Sequence, residues 1–127
     1  MDFEAIALAI LGRIEDAVGL LPYKPPNVSL GSTDLDHLRV DIMFNRREPV
    51  GLLQTNITPG IIQVAVYSKR GSGTIQALAE GDKVLELFPR NLELGSLRID
   101  RPGWISAGFE KDGWWITPIS IPFRVIN

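Results

Sequence analysis

The side chains best suited to chemistry are one histidine and a few acidic pairs. His37 follows Asp34 and Asp36 at the predicted start of a strand. As a metal ligand His37 would need at least two further ligands placed by the fold, and the sequence has no other histidine and no cysteine to supply them. An all-carboxylate site is possible but has no spacing signature. We therefore predict that His37 is an ordinary surface residue and that there is no metal site. The lack of cysteine also excludes disulfide scaffolds and thiol nucleophiles.

The sequence carries no motif for nucleophilic or phosphate chemistry. Gly71-Ser72-Gly73 resembles a phosphate-binding loop, but the lysine of a Walker motif is missing. No G-x-S-x-G elbow is present. The acidic pairs Glu15-Asp16, Asp34-Asp36 and Glu80-Asp82 are interpreted as solvated surface. On the predicted helix, Glu80 and Asp82 point to different faces, so they do not form an acid–base pair by local geometry. We predict no catalytic residue, no cofactor and no enzymatic activity.

Two basic pairs, Arg46-Arg47 and Lys69-Arg70, lie at predicted strand ends beside loops. Three interpretations stay open for them, which are a phosphate backbone, an acidic patch on a partner protein, or no partner at all. Charges at the rim of an interface govern the encounter rate and register more than the affinity. These pairs are therefore candidate contact residues rather than catalytic residues.

Trp114 and Trp115 are adjacent on a predicted strand, so their side chains must point to opposite faces of the sheet. If helices cover one face, one of the two tryptophans lies on the uncovered face. Tryptophan is enriched among the residues that anchor protein interfaces. The alternative is that the segment 45–60 folds over that face and buries the ring.

Apolar spacing and turn residues outline the elements that position these side chains. Two helices are predicted at 3–21 and 74–88, and a proline-rich connector at 22–35. Strands are predicted at 36–44, 61–67, 97–108 and 114–125, with a polar, turn-rich excursion at 45–60. Asp112-Gly113 indicates a hairpin turn, whereas Pro118 and Pro122 indicate an edge or a bulge.

The predicted fold class is α/β (α+β), a mostly antiparallel four-stranded sheet with two helices packed on one face. A chain of 127 residues with 45% hydrophobic residues suits a single domain spanning 1–127. The formal net charge of −2 gives no basic excess that would demand nucleic-acid binding. No secretory signal and no membrane span is apparent, so we expect a soluble cytosolic protein.

Several segments together carry a resemblance to a known family, and it extends over nearly the whole chain. They are 60–67, 71–74, the second helix with Ala79, Gly81-Asp82 and Leu87-Phe88, and the closing strand from Gly113-Trp114-Trp115 through Pro118 to Phe123. The N-terminal helix and its proline-rich connector also match. The sequence resembles the tail-terminator-like (tail-completion) proteins of long-tailed bacteriophages. Gly81 departs mildly, because the family more often has a residue such as alanine there.

The resemblance implies a homohexameric ring that caps the tail tube, ends its polymerisation and joins the tail to the head connector. The implied partners are further copies of the chain, the tail tube protein and a head-completion protein, with DNA only passing through the lumen. The protein would reside at the head-proximal end of the tail, and in the host cytoplasm during assembly. The motifs are structural, so the resemblance assigns no catalytic residue.

The candidate subunit or tube interface combines the basic pairs with the exposed tryptophan. Its residues are Arg46, Arg47, Glu48, Lys69, Arg70, Trp114 and Trp115. One alternative function is a head–tail joining or other minor tail protein. From other classes, the alternatives are a small ligand-binding or enzymatic α/β domain, and a monomeric binding module that uses Trp114 or Trp115.

Overall fold

The computed structural model describes residues 3–17, 19, 21–24, 36–45, 48–50, 55–69 and 74–126. The helices are α1 (Phe3–Glu15) and α2 (Thr74–Leu87). The strands are β1 (Tyr23–Lys24), β2 (His37–Phe44), β3 (Glu48–Val50), β4 (Thr55–Lys69), β5 (Glu93–Leu94), β6 (Leu97–Arg98), β7 (Trp104–Ile105), β8 (Phe109–Lys111) and β9 (Trp114–Ile126).

Within the described residues, the strands form one nine-stranded sheet with the order β1-β2-β4-β9-β6-β5. Strand β3 pairs with β4, and β7 and β8 both pair with β9. The pairing is antiparallel except between β1 and β2. The sheet is built on β4 and β9, which pair continuously from Ile57–Ile126 to Lys69–Trp114.

The prediction of a four-stranded sheet is therefore wrong, although the combination of two helices with a mainly antiparallel sheet is compatible with α+β. The strand predicted at 97–108 is two short strands separated by the segment that contains Pro102-Gly103. The polar segment 45–60 holds β3 and the start of β4. Strands of two or three residues are too short to show an alternating pattern, so periodicity could not find them.

Strand register divides the sheet side chains between two faces. One face, called the covered face, carries the even-numbered residues of β2 and β4 and the odd-numbered residues of β9, such as Val40, Val64 and Ile119. These side chains are fully buried. The opposite face, called the open face, carries their neighbours in sequence, such as Met43, Ile61 and Pro122.

Both helices pack on the covered face. The buried residues Ile6, Ile10 and Ile14 of α1 recur every four residues and join the same core cluster as the covered face. In α2, a Cβ added at Gly81 would meet the Cδ1 atom of Ile105 at 2.9 Å. The glycine therefore permits the close approach of helix and sheet.

A buried carboxylate ties the end of the first helical region to α2. The helix predicted to reach residue 21 ends at Glu15, and Gly19 has a φ of 88°. Leu21 N donates a 2.7 Å hydrogen bond to Glu80 Oε1, and Lys83 Nζ donates to Gly19 O at 3.0 Å. Because Glu80 is only 7% exposed, its interpretation as solvated surface is wrong.

The prolines of β9 lie within a paired strand, at positions where no ladder donor is needed. Pro118 O accepts a hydrogen bond from Ser106 N, on the side of β9 away from β4. The N and O atoms of one residue in a strand point to the same side, so Pro118 and Pro122 both direct their nitrogen away from β4. Among the described strands, β6, β7 and β8 pair with residues 124–125, 119–120 and 114–116. The prolines fall in the gaps between them.

Candidate functional site: the open face of the sheet

The open face has an aromatic end, a polar middle and an apolar end. Cross-strand register places His37, Tyr67 and Ile116 in one row at the first end. Asp41, Gln63 and Ser120 form a row in the middle. Met43, Ile61 and Pro122 form a row at the other end. Neither described helix covers this face, since both pack on its reverse side.

At the aromatic end, His37 lies between two aromatic rings. Its imidazole centroid is 4.9 Å from the Tyr67 ring, which is stacked on it, and 5.1 Å from the Trp114 ring, which meets it edge-on. His37 is only 2% exposed, so the prediction of an ordinary surface histidine is wrong. Phe109 lies opposite Ile116 in this row and is 46% exposed. This end is thus an aromatic cluster with one ring turned toward solvent.

At the apolar end, the row of Met43, Ile61 and Pro122 borders a cavity of about 430 Å³. Trp104 pairs with Ser120 and stands beside this row, 48% exposed. Met43 is 47% exposed. The residues around the cavity are Met43, Phe44, Asn45, Pro59, Gly60, Ile61, Arg101, Trp104, Pro122 and Phe123. The lining is mainly apolar, and its charged member is Arg101.

The structure brings only some of the predicted interface residues together. Lys69 and Trp114 are cross-strand partners at the aromatic end of the open face. Trp115 points to the covered face, where a Cβ on Gly108 would meet its indole ring at 2.5 Å. The two tryptophans thus lie on opposite faces, and Trp114 is the one on the uncovered face.

Glu48 is far from that pair, because it lies opposite Ile57 near the other end of β4. The 12 residue steps from Ile57 to Lys69 span roughly 40 Å at the usual rise of a strand. Arg46, Arg47 and Arg70 lie outside the described residues. The predicted interface therefore divides into at least two separate regions rather than one patch.

Sequence reasoning missed the cavity and its exposed residues, Met43, Trp104 and Arg101. One signal was present, since Met43 and Phe44 break the apolar alternation at the end of β2. Two successive apolar residues at a strand end imply that both faces are apolar there. Trp104 gave no such signal, because its strand has only two residues.

The described residues contain no group of three or more His, Asp or Glu side chains placed to hold a metal ion. The buried Glu80 carboxylate accepts a hydrogen bond from the Leu21 amide and forms an ion pair with Lys83 Nζ at 3.5 Å. Its role is thus structural, since it joins Leu21 to α2. What the open face presents is apolar contact surface, which is typical of protein interfaces.

Comparison with known proteins gives this surface its context. The model of a family described as phage tail terminator protein matches residues 5–123. The chain belongs to this family. The resemblance noted in the sequence is thereby confirmed, and the protein has a structural role in a phage tail and is a component of the virion.

The fold of this tail terminator also occurs in a solved structure that carries no functional name. The two share 24% sequence identity with a TM-score of 0.76, over 98% of this chain and 96% of the other. At that identity the likeness concerns the fold alone. No curated protein matches the chain. Neither helix of the described part of the chain is long and apolar enough to cross a membrane.

Proposed function

We propose that this tail terminator forms a homohexameric ring that caps the tail tube, ends its polymerisation and joins the tail to the head connector. The observation that carries the proposal is the open face, an apolar surface on a chain whose family is structural. Large exposed apolar residues such as Met43, Trp104 and Phe109 add little to the stability of an isolated subunit. They gain burial when another protein covers them.

Termination follows from a ring with two unlike faces. One face of the ring docks on the last ring of the tube, and the other lacks the surface that a further tube subunit needs. Subunits in a closed ring contact each other head-to-tail, so each subunit uses two different patches. The separation of the predicted interface residues into two regions of the sheet supports this arrangement.

The region around Glu48 is suited to a contact beyond the subunit. Strands β3 and β4 pair at Glu48–Ile57, Pro49–Asn56 and Val50–Thr55. Among the described strands, β3 pairs with β4 alone, so the other edge of this hairpin is open to pairing with another chain. We infer that it is held by a neighbouring subunit or by the tube, and that Lys69 and Trp114 serve a separate contact.

The proposed activity is assembly, not catalysis. The cavity of about 430 Å³ falls within the usual size of small-molecule pockets. Such pockets also need a few converging polar groups to orient a ligand, whereas the described part of this lining is mainly apolar, with Asn45 and Arg101 as its polar side chains. DNA passes through the proposed ring without tight binding, which the net charge of −2 favours.

Tail length in the absence of this chain tests the proposal. Cells that assemble the phage with the gene deleted should produce tails of uncontrolled length, and the gene supplied in trans should restore a uniform length. Tails of normal length that fail to join heads would contradict termination and favour a head–tail joining protein. Normal, infectious particles after deletion would refute both functions.

A further inference from the structure

We propose that the apolar end of the open face receives an exposed stripe of α2 from the neighbouring copy of this chain. The stripe consists of Ile75, Leu78 and Asp82, and its receptor is the cavity beside Trp104 and Arg101. This inference rests on the proposed ring and specifies a subunit contact within it.

The stripe on α2 is apolar where a helix surface is usually polar. Ile75 is 82% exposed and Leu78 is 42% exposed. Asp82, also exposed, follows Leu78 by four residues, so the three side chains lie along one side of the helix. The buried residues Ala77, Gly81 and Val84 face the sheet. The stripe is therefore directed away from its own subunit.

The receptor is rigid as well as apolar. Pro59 and Pro122 form part of the cavity wall and lie in paired strands, so their backbone is held in place. Met43 and Trp104, 47% and 48% exposed, stand at its border. A preformed site loses little conformational entropy when it is filled. Burial of Ile75 and Leu78 in it would remove apolar surface of both partners from water.

Charge favours a second copy of the chain as the occupant. Arg101 lines the cavity and is exposed, and Asp82 adjoins the apolar residues of the stripe. Neither side chain forms an ion pair within the described part of the chain. With the apolar residues inserted, the Asp82 carboxylate and the Arg101 guanidinium can pair at the rim, where charges fix orientation and register.

The placement of the two patches makes the contact head-to-tail. Helix α2 packs on the covered face, whereas Met43, Trp104 and Pro122 of the cavity lining lie on the open face. A helix on the covered face cannot place its own stripe against these residues, so the contact needs a second subunit. The same contact can repeat from each subunit to the next, which is the interface type that builds closed rings.

Engineered cysteines test the contact cleanly, because the chain has no cysteine of its own. Ile75→Cys and Trp104→Cys proteins are mixed at high concentration, and disulfide-linked dimer is followed on non-reducing gels. The matched control pairs Trp104→Cys with Leu8→Cys, since Leu8 is 60% exposed on the other helix. We expect the first pair to link at least about tenfold faster, as complementary patches do relative to random encounters. Equal rates would overturn the contact.

A charge exchange tests the orientation. In the Ile75→Cys protein, Asp82→Arg should slow linking about tenfold, because like charges then meet at Arg101. Arg101→Asp in the Trp104→Cys partner should restore the rate. Arg101→Asp should not rescue Glu86→Arg, since Glu86 lies beyond the stripe. Absence of rescue in the Asp82 pair would refute the proposed register.

Native mass spectrometry of the wild-type protein separates failure of this contact from failure of the ring. Rings that form without the Ile75–Trp104 link would overturn this contact and leave the proposed function standing. We expect the Ile75→Cys and Trp104→Cys pair to form disulfides faster than the control pair, and the wild-type protein to form closed rings.

Discussion

Apolar residues on the two faces of the sheet serve different purposes. The covered face is aliphatic, with Val40, Val64, Ile119 and Ile121 all at 0% exposure beneath the helices. The open face combines aromatic rings, prolines and charges, and several of its apolar side chains are about half exposed. Burial within the subunit explains the first set. Under the proposed assembly, the second set is buried against another subunit or partner.

This difference separates stability from assembly. Substitutions on the covered face should lower the free energy of unfolding, because they remove buried contacts or add clashes. Substitutions on the open face should leave the subunit folded and affect what it binds.

Removal of an aromatic side chain from the core should have the largest effect on stability. Phe88, 1% exposed, packs in the core cluster at the end of α2. Phe88→Ala should lower the free energy of unfolding by about 3–5 kcal/mol, since it removes buried surface and leaves a cavity. Urea denaturation followed by circular dichroism measures the change. A loss of less than about 1 kcal/mol would show that the covered side is not the stabilising one.

Overpacking of the covered face should come next. A Cβ at Gly60 would clash with the Phe123 ring, lying 2.8 Å from its Cε1 atom and closer to its Cζ atom, and would lie 2.5 Å from Met43 O. Gly60→Ala should therefore cost about 3 kcal/mol in denaturation experiments. Gly12→Ala in helix α1 is the matched control, because its added Cβ would meet no atom within 4 Å apart from its chain neighbours and the nearby helix backbone. This control should gain about 1 kcal/mol, and equal effects of the two would contradict the packing described.

Loss of the buried carboxylate should cost less. Glu80→Ala removes the acceptor of the 2.7 Å hydrogen bond from Leu21 N and should lower the free energy of unfolding by about 2 kcal/mol. Glu86→Ala, an exposed residue on the same helix, should change it by less than about 0.5 kcal/mol. Similar losses for both variants would mean that the hydrogen bond between Leu21 and Glu80 does not stabilise the fold.

The open face should show the smallest loss of stability. Trp104→Ala also removes an aromatic side chain, but from a position 48% exposed, and should lower the free energy of unfolding by about 1 kcal/mol or less. Its effect should appear instead in assembly, as fewer closed rings by native mass spectrometry. A stable variant that still forms closed hexameric rings would show that Trp104 is not part of the interface.

Local patterns predicted the parts of the fold that depend on local sequence. The spacing of Ile6, Ile10 and Ile14 predicted α1, and the Asp112-Gly113 turn is confirmed by φ values of 53° and 85°. The number of strands was wrong, because the short strands are held by pairing with distant residues. The burial of His37 was missed for the same reason, since Tyr67 and Trp114 reach it only across the sheet.

The candidate site was predicted only in part. Adjacent tryptophans must alternate in a strand, so the sequence alone required one of them to lie on the uncovered face, and that residue is Trp114. The cavity beside Trp104 could not be predicted, because it needs β2, β4 and β9 side by side in register. Glu48 and Lys69 were predicted to belong to one interface, but they lie near opposite ends of β4.

Electron cryomicroscopy of purified tails tests most directly the proposal that this chain closes the head-proximal end of the tail. We expect one six-fold ring of this chain between the last tube ring and the head connector, with α2 of each subunit against the open face of the next. Tail ends of normal structure from which this chain is absent would contradict the proposal.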